Sequence, residues 1–358
     1  MDYNSYRRKT IAFKVGDVGI GGNYPVSIQS MTNTSPYDHD ATYKQIKSLE
    51  DAGCDIVRLA IPDLEAVPVI SEMKRRGISV PLVADIHFDY RIALAAIEAG
   101  VDKIRINPGN IGSREKTEAV VLMCKERDIP IRIGVNSGSV EKTILEKYGA
   151  PTAEALAESA LYHVGILEDL DFKKIAISVK ASSVSEMIEA NRILAAKTSY
   201  PLHLGVTEAG ARERAAVKSG VGIGALLAQG IGDTIRVSLT EDPVREVYLA
   251  REILSALAIS ERTGMDIVSC PTCGRTKINL ISLVEEFERK AALLGIDKKN
   301  IKVALMGCAV NGPGEAREAD IGIAGGIGEG LLFKKGKTVR KIKEDKLIDE
   351  LIEEIRNL

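Results

Sequence analysis

The chain has 358 residues, of which 45% are hydrophobic and 27% charged, with a formal net charge of −2. That length exceeds one small domain and points to two or three, and the composition is ordinary for a soluble globular enzyme. A balance so close to neutral gives no reason to expect nucleic acid or an anionic membrane as a partner, so any bound anion must be met by locally placed cations.

The first residues, Met1 to Phe13, are polar and carry Arg7, Arg8 and Lys9 rather than the apolar run of a signal peptide. No later window approaches the roughly 20 apolar residues that span a bilayer. A cytoplasmic protein is expected, where thiols stay reduced and the five cysteines are packing residues, ligands or nucleophiles.

From about Tyr24 to Ser260 one unit recurs: a short β-rich run, then an amphipathic helical stretch often closed by glycine. Strands are predicted at Val26–Met31, Ile56–Ile61, Val80–Ile86, Lys103–Asn107, Pro130–Asn136, Lys174–Lys180, Leu202–Thr207 and Thr234–Leu239. Helical patterns between them include Ala41–Ala52, Tyr90–Ala99, Glu115–Arg127, Thr152–Leu167, Ser185–Lys197 and Glu208–Lys218, with Asp242–Ile259 after the eighth strand. Strands apolar on nearly every residue and alternating with helices indicate a parallel sheet covered by helices. Eight such units match an α/β fold of the (β/α)8 TIM-like barrel type over 1–260, with a doubly wound open sheet as the alternative. Ser137–Pro151 is long for a connection of this kind and suits a cover over the barrel mouth.

After Ser260 the pattern changes. Strands at Asp266–Ser269 and Lys302–Met306 flank a charged helix, Ile281–Leu294, and a Lys/Glu-rich helix, Glu344–Asn357, ends the chain. This predicts a smaller α+β domain over 261–358. Glycine-rich Gly220–Gly224 and Gly325–Gly330 lack the strand, helix and later acid of a dinucleotide loop and read as turns.

In a barrel of this type the site is built at the C-terminal ends of the strands. Those ends carry Arg58, Asp85, His87, Arg105, Asn107, Arg132, Asn136, Lys180, Glu208, Arg236 and Ser238. Arg58, Arg105, Arg132 and Arg236 interrupt otherwise apolar strands, where an unpaired charge is very costly. Each needs a carboxylate partner or a convergent substrate charge. Two acids, Asp85 and Glu208, cannot neutralise four arginines and Lys180, and a diphosphate-sized anion is the simpler complement.

The second domain places a C-x-x-C, Cys270-Pro271-Thr272-Cys273, directly after a strand, and a third cysteine in Met306-Gly307-Cys308-Ala309-Val310-Asn311-Gly312-Pro313-Gly314-Glu315. All four histidines, His39, His87, His163 and His203, lie in the barrel region, so the site lacks the fourth Cys or His of a structural zinc centre. Three thiolates with an oxygen or open fourth position suit a [4Fe–4S] cluster that does chemistry at one iron. Zinc and a redox disulfide remain the alternatives on spacing alone. Glu315 is the best protein-derived fourth ligand, while Cys54 and Cys124 read as packing residues.

Cys270-Pro271-Thr272-Cys273-Gly274-Arg275, the Met306–Glu315 run and Gly230-Ile231-Gly232-Asp233-Thr234-Ile235-Arg236-Val237-Ser238 together resemble the signatures of the 4-hydroxy-3-methylbut-2-enyl diphosphate synthase family. The likeness extends over essentially the whole chain from Ser27-Ile28-Gln29-Ser30-Met31-Thr32 onward. It implies reductive ring opening and dehydration of 2-C-methyl-D-erythritol 2,4-cyclodiphosphate in the non-mevalonate isoprenoid pathway. It further implies electrons from flavodoxin or ferredoxin and a head-to-tail homodimer. By the same resemblance, Cys270, Cys273, Cys308 and Glu315 match the cluster ligands. Arg58, His87, Arg105, Arg132, Lys180, Arg236 and Ser238 match diphosphate contacts, with Asn107, Asn136 and Asn311 assigned to substrate as well. Glu208 and Asp85 match acids at the reacting end, Glu208 as the candidate proton donor.

Overall fold

A computed structural model describes residues 3–111, 113–260, 264–308 and 317–358. The chain divides into two compact units, Met1–Ser260 and Glu261–Leu358.

The first unit opens with a hairpin, β1 (Phe13–Val15) and β2 (Val18–Ile20), turned at Gly16, whose φ of +55° favours glycine. Then β3 (Ser27–Met31), α1 (His39–Asp51), β4 (Ile56–Ala60), α2 (Pro68–Arg75), β5 (Leu82–Asp85), α3 (Tyr90–Glu98), β6 (Lys103–Ile106), α4 (Pro108–Ile111), α5 (Arg114–Glu126) and β7 (Ile131–Asn136) follow. They continue with α6 (Lys142–Tyr148), α7 (Ala153–Asp169), β8 (Ile175–Lys180), α8 (Val184–Lys197), β9 (His203–Leu204), α9 (Arg212–Leu227), β10 (Thr234–Ile235) and α10 (Pro243–Ala256). The sheet order β8-β7-β6-β5-β4-β3-β10-β9 is parallel throughout, and a parallel bridge, Ile177 to Leu202, joins its two ends into a barrel. The open-sheet alternative is thereby excluded.

Alternation along the strands sorts the residues. Ile28, Val57, Leu59, Leu82, Ala84, Ile104, Ile106, Ile131, Ile133, Ile175, Ile177, Leu202 and Leu204 join the large core shared with the helices. Their neighbours, among them Gln29, Arg58, Asp85, Lys103, Arg105, Arg132, Lys180 and His203, therefore face the barrel interior. At the N-terminal end of the barrel the interior is apolar: Ile56, Val83 and Ala176 pack on Phe13, Val15 and Ile20 of the hairpin, which plugs it.

The last two barrel strands are shorter than predicted, two residues each. Gly205 follows β9 so close to the facing chain that a Cβ there would lie 2.6 Å from the Arg236 carbonyl oxygen. The ladder continues by one bond, from Arg236 N–H to the Leu204 carbonyl, and then gives way to loops. Within the Ser137–Pro151 stretch, α6 packs against α7.

The second unit consists of β11 (Asp266–Ser269), α11 (Leu280–Leu293), β12 (Lys302–Met306), β13 (Ile321–Gly325), β14 (Glu329–Lys334), β15 (Lys337–Lys343) and α12 (Leu347–Arg356). Strands β11 to β13 are parallel and β13 to β15 antiparallel, giving one mixed sheet. Phe287 of α11 and Leu351 and Ile355 of α12 bury against Val303, Leu305, Ile321 and Ile323. The sheet's second half, β13 to β15, was not anticipated from the glycine-rich sequence.

Candidate active site

Because the strands are parallel, their carboxyl ends gather at one mouth of the barrel, and the residues predicted there are brought together in stages. Asp85 is the hub. Its Oδ1 lies 3.1 Å from Arg105 Nη1, and its Oδ2 lies 3.7 Å from Arg58 Nε and 3.6 Å from His87 Nε2. Burial pushes the Asp85 carboxyl up, but Arg58, a hydrogen bond from His87 and Arg105 outweigh it and hold the group far below the usual carboxylate range. Asp85 is thus an ionised anchor. Arg105 also reaches the Gly134 carbonyl at 3.3 Å, while Arg58 Nε stands 3.0 Å from Met31 Sδ.

A second acid enters from outside the strands. Glu246 of α10 accepts from Arg236 Nη2 at 3.0 Å and Nε at 3.2 Å, from Ser30 Oγ at 2.8 Å and from Leu239 N–H at 3.2 Å. Arg236 also donates to Ser238 Oγ at 3.3 Å. Glu246 is therefore the neutralising acid that the sequence argument assigned to Glu208. Glu208 makes none of these contacts: it is exposed after β9, with its backbone in the left-handed region at φ 52°. A non-glycine residue held there carries local strain, a feature that clusters at functional sites. Asn107 is buried just past β6, and Asn136 ends β7, where its backbone N–H donates to Ser139 Oγ at 2.9 Å.

Among the described residues the remaining cations have no ion pair of their own, although Asp85 acts on Arg132 and Glu246 on Lys180. Arg132 is 1% exposed, with Nε and Nη2 unbonded among the described residues. Burial and then Arg58 and Arg105 press its pKa down; burial and then Arg236, Arg58 and Arg132 do the same to Lys180. Two glycines make room for this crowd. A Cβ on Gly134 would lie 2.4 Å from Arg105 Nε, and one on Gly205 would lie 3.0 Å from Lys180 Nζ. Lys103, buried at the start of β6, belongs to the interior too and was missed because a lysine opening a strand looks like a surface residue. Among the described residues, six basic side chains, Arg58, Lys103, Arg105, Arg132, Lys180 and Arg236, thus face two acids, Asp85 and Glu246. The surplus invites an anion.

In the second unit, β11 and β12 are parallel neighbours, so Cys270, after β11, and Cys308, after β12, end at one edge of the sheet. Gly307 N–H donates to Cys270 Sγ at 3.2 Å, and Cys270 N–H donates to the Leu305 carbonyl at 3.4 Å. Cys273 N–H donates to Thr276 Oγ1 at 3.1 Å, and Lys277 N–H to the Gly307 carbonyl at 3.0 Å, which folds the C-x-x-C loop over the end of β12. A Cβ on Gly307 would strike Thr276 at 2.8 Å, so this close approach requires glycine. Backbone and side-chain hydrogen bonds from Arg275 hold the exposed Cys273 thiol below its ordinary value. Glu315 and Asn311 lie outside the described residues, among which no set of three or more metal-ligating side chains is assembled. Accessible soft sulfur donors at one sheet edge, one of them already accepting an N–H bond, fit an iron–sulfur cluster. Cys54 and Cys124 are buried in the barrel core; burial pushes the Cys54 thiol up to about 12 and the Cys124 thiol up as well.

Residues 10–251 match the GcpE TIM-barrel domain and residues 266–357 the GcpE protein C-terminal domain. A 4-hydroxy-3-methylbut-2-en-1-yl diphosphate synthase (flavodoxin) from Clostridium perfringens is 60% identical over 98% of this chain and 99% of its own length. The enzyme of the same name from Geobacillus thermodenitrificans is 59% identical, covering 99% of this chain and 93% of its own. Among solved structures, the Bacillus subtilis spore coat polysaccharide biosynthesis protein spsE overlays 69% of this chain and 73% of its own, with a TM-score of 0.50 at 12% identity, a likeness of fold alone.

Proposed function

The chain belongs to the GcpE family of enzymes, and on that premise we propose that it reduces 2-C-methyl-D-erythritol 2,4-cyclodiphosphate to 4-hydroxy-3-methylbut-2-enyl diphosphate. Two electrons and a proton enter, the ring C–O bond breaks, and one oxygen leaves as water. The observation that carries the reading is the uncompensated cation set inside the barrel, in a chain that matches synthases of this name along nearly their full length.

Arg58, Arg105, Arg132, Lys180, Arg236 and Ser238 hold the diphosphate, with His87, Asn107 and Asn136 beside them. These side chains are held in place before the substrate arrives, so they need no reorganisation during reaction. Ring opening frees a further ionisable phosphate oxygen. The cation surplus therefore favours the opened form over the cyclic one, which is differential stabilisation in the productive direction. Asp85, held ionised by Arg58, His87 and Arg105, orients those three groups and cannot supply a proton near neutrality. Glu208 on its exposed loop is the proton donor for the departing hydroxyl.

A [4Fe–4S] cluster on Cys270, Cys273, Cys308 and Glu315, reduced by flavodoxin or ferredoxin, supplies the electrons when bound. Asn311 lies on the same motif and is assigned to substrate. A head-to-tail homodimer in the cytoplasm completes the proposal; no helix among the described residues is long and apolar enough to cross a membrane.

Anaerobic purification with iron, sulfide and zinc analysis, followed by EPR with and without the cyclic diphosphate, tests the cofactor. Iron and sulfide with a spectrum that changes on substrate addition is expected; zinc alone would overturn it. Lys180→Glu should abolish turnover by 100-fold or more while leaving the iron content unchanged. Glu208→Gln should bind substrate normally and turn over slowly, and normal turnover would remove Glu208 from the proton-donor role.

A further inference from the structure

One layer below the strand ends the barrel carries three polar side chains that this function has not used, Gln29, Lys103 and His203, around Arg132, already assigned to the diphosphate. Gln29, Lys103, Arg132 and His203 occupy inward positions on β3, β6, β7 and β9, each two residues deeper than Met31, Arg105, Gly134 and Gly205. All four are 1% exposed. Among the described residues, both amide atoms of Gln29, both ring nitrogens of His203, and Nε and Nη2 of Arg132 lack hydrogen-bond partners. The charges acting on Lys103 are the guanidiniums of Arg132 and Arg58, and those acting on His203 are Arg132, Lys180, Lys103 and Arg58. Asp85 pairs across the sheet with Arg105, whereas Lys103 pairs with apolar Val83, so the hub carboxylate lies above Lys103; Arg132, paired with Arg105 on the next strand, is the floor cation on which Asp85 acts. Beneath, the plug of Phe13, Val15 and Ile20 seals the end of the barrel.

A buried donor without a partner costs about 1–3 kcal/mol, and an unpaired buried cation more. Water would satisfy the hydrogen bonds but not the charge. A tetrahedral oxyanion would meet the charge and the donors, accepting from guanidinium, ammonium, the Gln29 amide N–H and one imidazole N–H, while Gln29 Oε1 and the other ring nitrogen, both acceptors, are left to water or a protonated phosphate oxygen.

We propose that Gln29, Lys103, Arg132 and His203 form an oxyanion pocket in the barrel floor that takes one phosphoryl group. This deepens the assignment of the barrel to a diphosphate and rests on it. The phosphoryl group comes either from the substrate, whose diphosphate then reaches from the strand-end ring down into the floor, or from free inorganic phosphate.

Isothermal calorimetry on the anaerobically prepared holoprotein distinguishes these cases, with inorganic pyrophosphate and inorganic phosphate as probes. Lys103→Met and Gln29→Met should each weaken pyrophosphate binding by tenfold or more. Both should fold, since each replaces a buried polar side chain by an apolar one of similar volume, and Lys103→Met should unfold at the same or higher urea concentration than the parent. Inorganic phosphate that competes with the cyclic diphosphate identifies the substrate's own phosphoryl group as the occupant. Phosphate that binds alongside it, and is lost in Lys103→Met, identifies the free ion. Unchanged affinities for both probes in both variants, with Lys180→Met weakening pyrophosphate, would overturn the floor pocket while leaving the diphosphate site standing. If Lys180→Met also left pyrophosphate binding unchanged, the diphosphate reading itself would fall and the pocket with it.

Discussion

At the inward position between Arg132 and Asn136 the chain has Gly134, and a methyl group there would meet Arg105 Nε at 2.4 Å. Gly134→Ala therefore displaces the guanidinium from Asp85, and overpacking of this kind costs about 1–3 kcal/mol. Expressed through a misplaced substrate contact, that is roughly tenfold or more in affinity. The expected result is a raised KM for the cyclic diphosphate and a weakened pyrophosphate titration, with the cluster unaffected. Lys103 makes a different statement. Burial, then Arg132 and Arg58, push its pKa down to about 7, whereas an unfolded lysine titrates near ~10.4. Between those values the unfolded chain holds a proton that the folded barrel does not, so barrel stability rises with pH over that window; below about 7 the penalty is fully present. Unfolding free energies of the barrel from urea titrations at pH 7 and pH 9 should differ by about 2 kcal/mol more in the parent than in Lys103→Met. The arginines were legible in the sequence because a guanidinium inside an apolar strand has no bland explanation. Glu246 was not: it lies on an amphipathic helix, and nothing local shows that it turns inward to Arg236 and Ser30.

The β1–β2 hairpin closes one end of the barrel by burying Phe13, Val15 and Ile20 on Ile56, Val83 and Ala176. Its sequence, Phe13-Lys14-Val15-Gly16-Asp17-Val18-Gly19-Ile20, alternates and turns at glycine, yet its two strands are three residues each and follow a polar segment, so no apolar run marks them. Ile20→Ala should cost about 2–5 kcal/mol, the range for a fully buried isoleucine, and lower the urea midpoint of the barrel without altering iron content. An unchanged midpoint would mean the plug is not part of the barrel's cooperative core. The eight barrel strands were legible because each is buried on both faces and so reads as a continuous apolar run. Strands β13 to β15 were not, since glycines at 322, 325, 326, 328 and 330 suggest turns. Two of these are packing requirements within the sheet: a Cβ on Gly322 would lie 2.5 Å from Phe333 and one on Gly330 2.7 Å from Leu347. The β15 sequence Lys-Thr-Val-Arg-Lys-Ile-Lys buries only Ile342, as befits an edge strand whose charges discourage further pairing.

For the whole molecule, the two units have separate cores and the two proposed ligands fall on different units. The barrel core is drawn from residues up to Leu254, and the smaller core from Ile278 onward. A ligand that binds only the folded form of a unit stabilises that unit by mass action, about 2.7 kcal/mol at a hundredfold excess over Kd. For a unit of the barrel's size, each kcal/mol moves the midpoint by roughly 2–4 °C. Anaerobic scanning calorimetry should therefore resolve two transitions. Inorganic pyrophosphate should raise one of them by about 5–10 °C. Removing the cluster with chelator and oxidant should lower the other, because metal-binding free energy is folding free energy for the unit that supplies the ligands. Lys103→Met should suppress the first response and leave the second intact; Cys270→Ser should do the reverse. If both treatments moved a single common transition, the two cores would unfold as one cooperative unit, and occupancy of either ligand would then bias the stability of the whole chain.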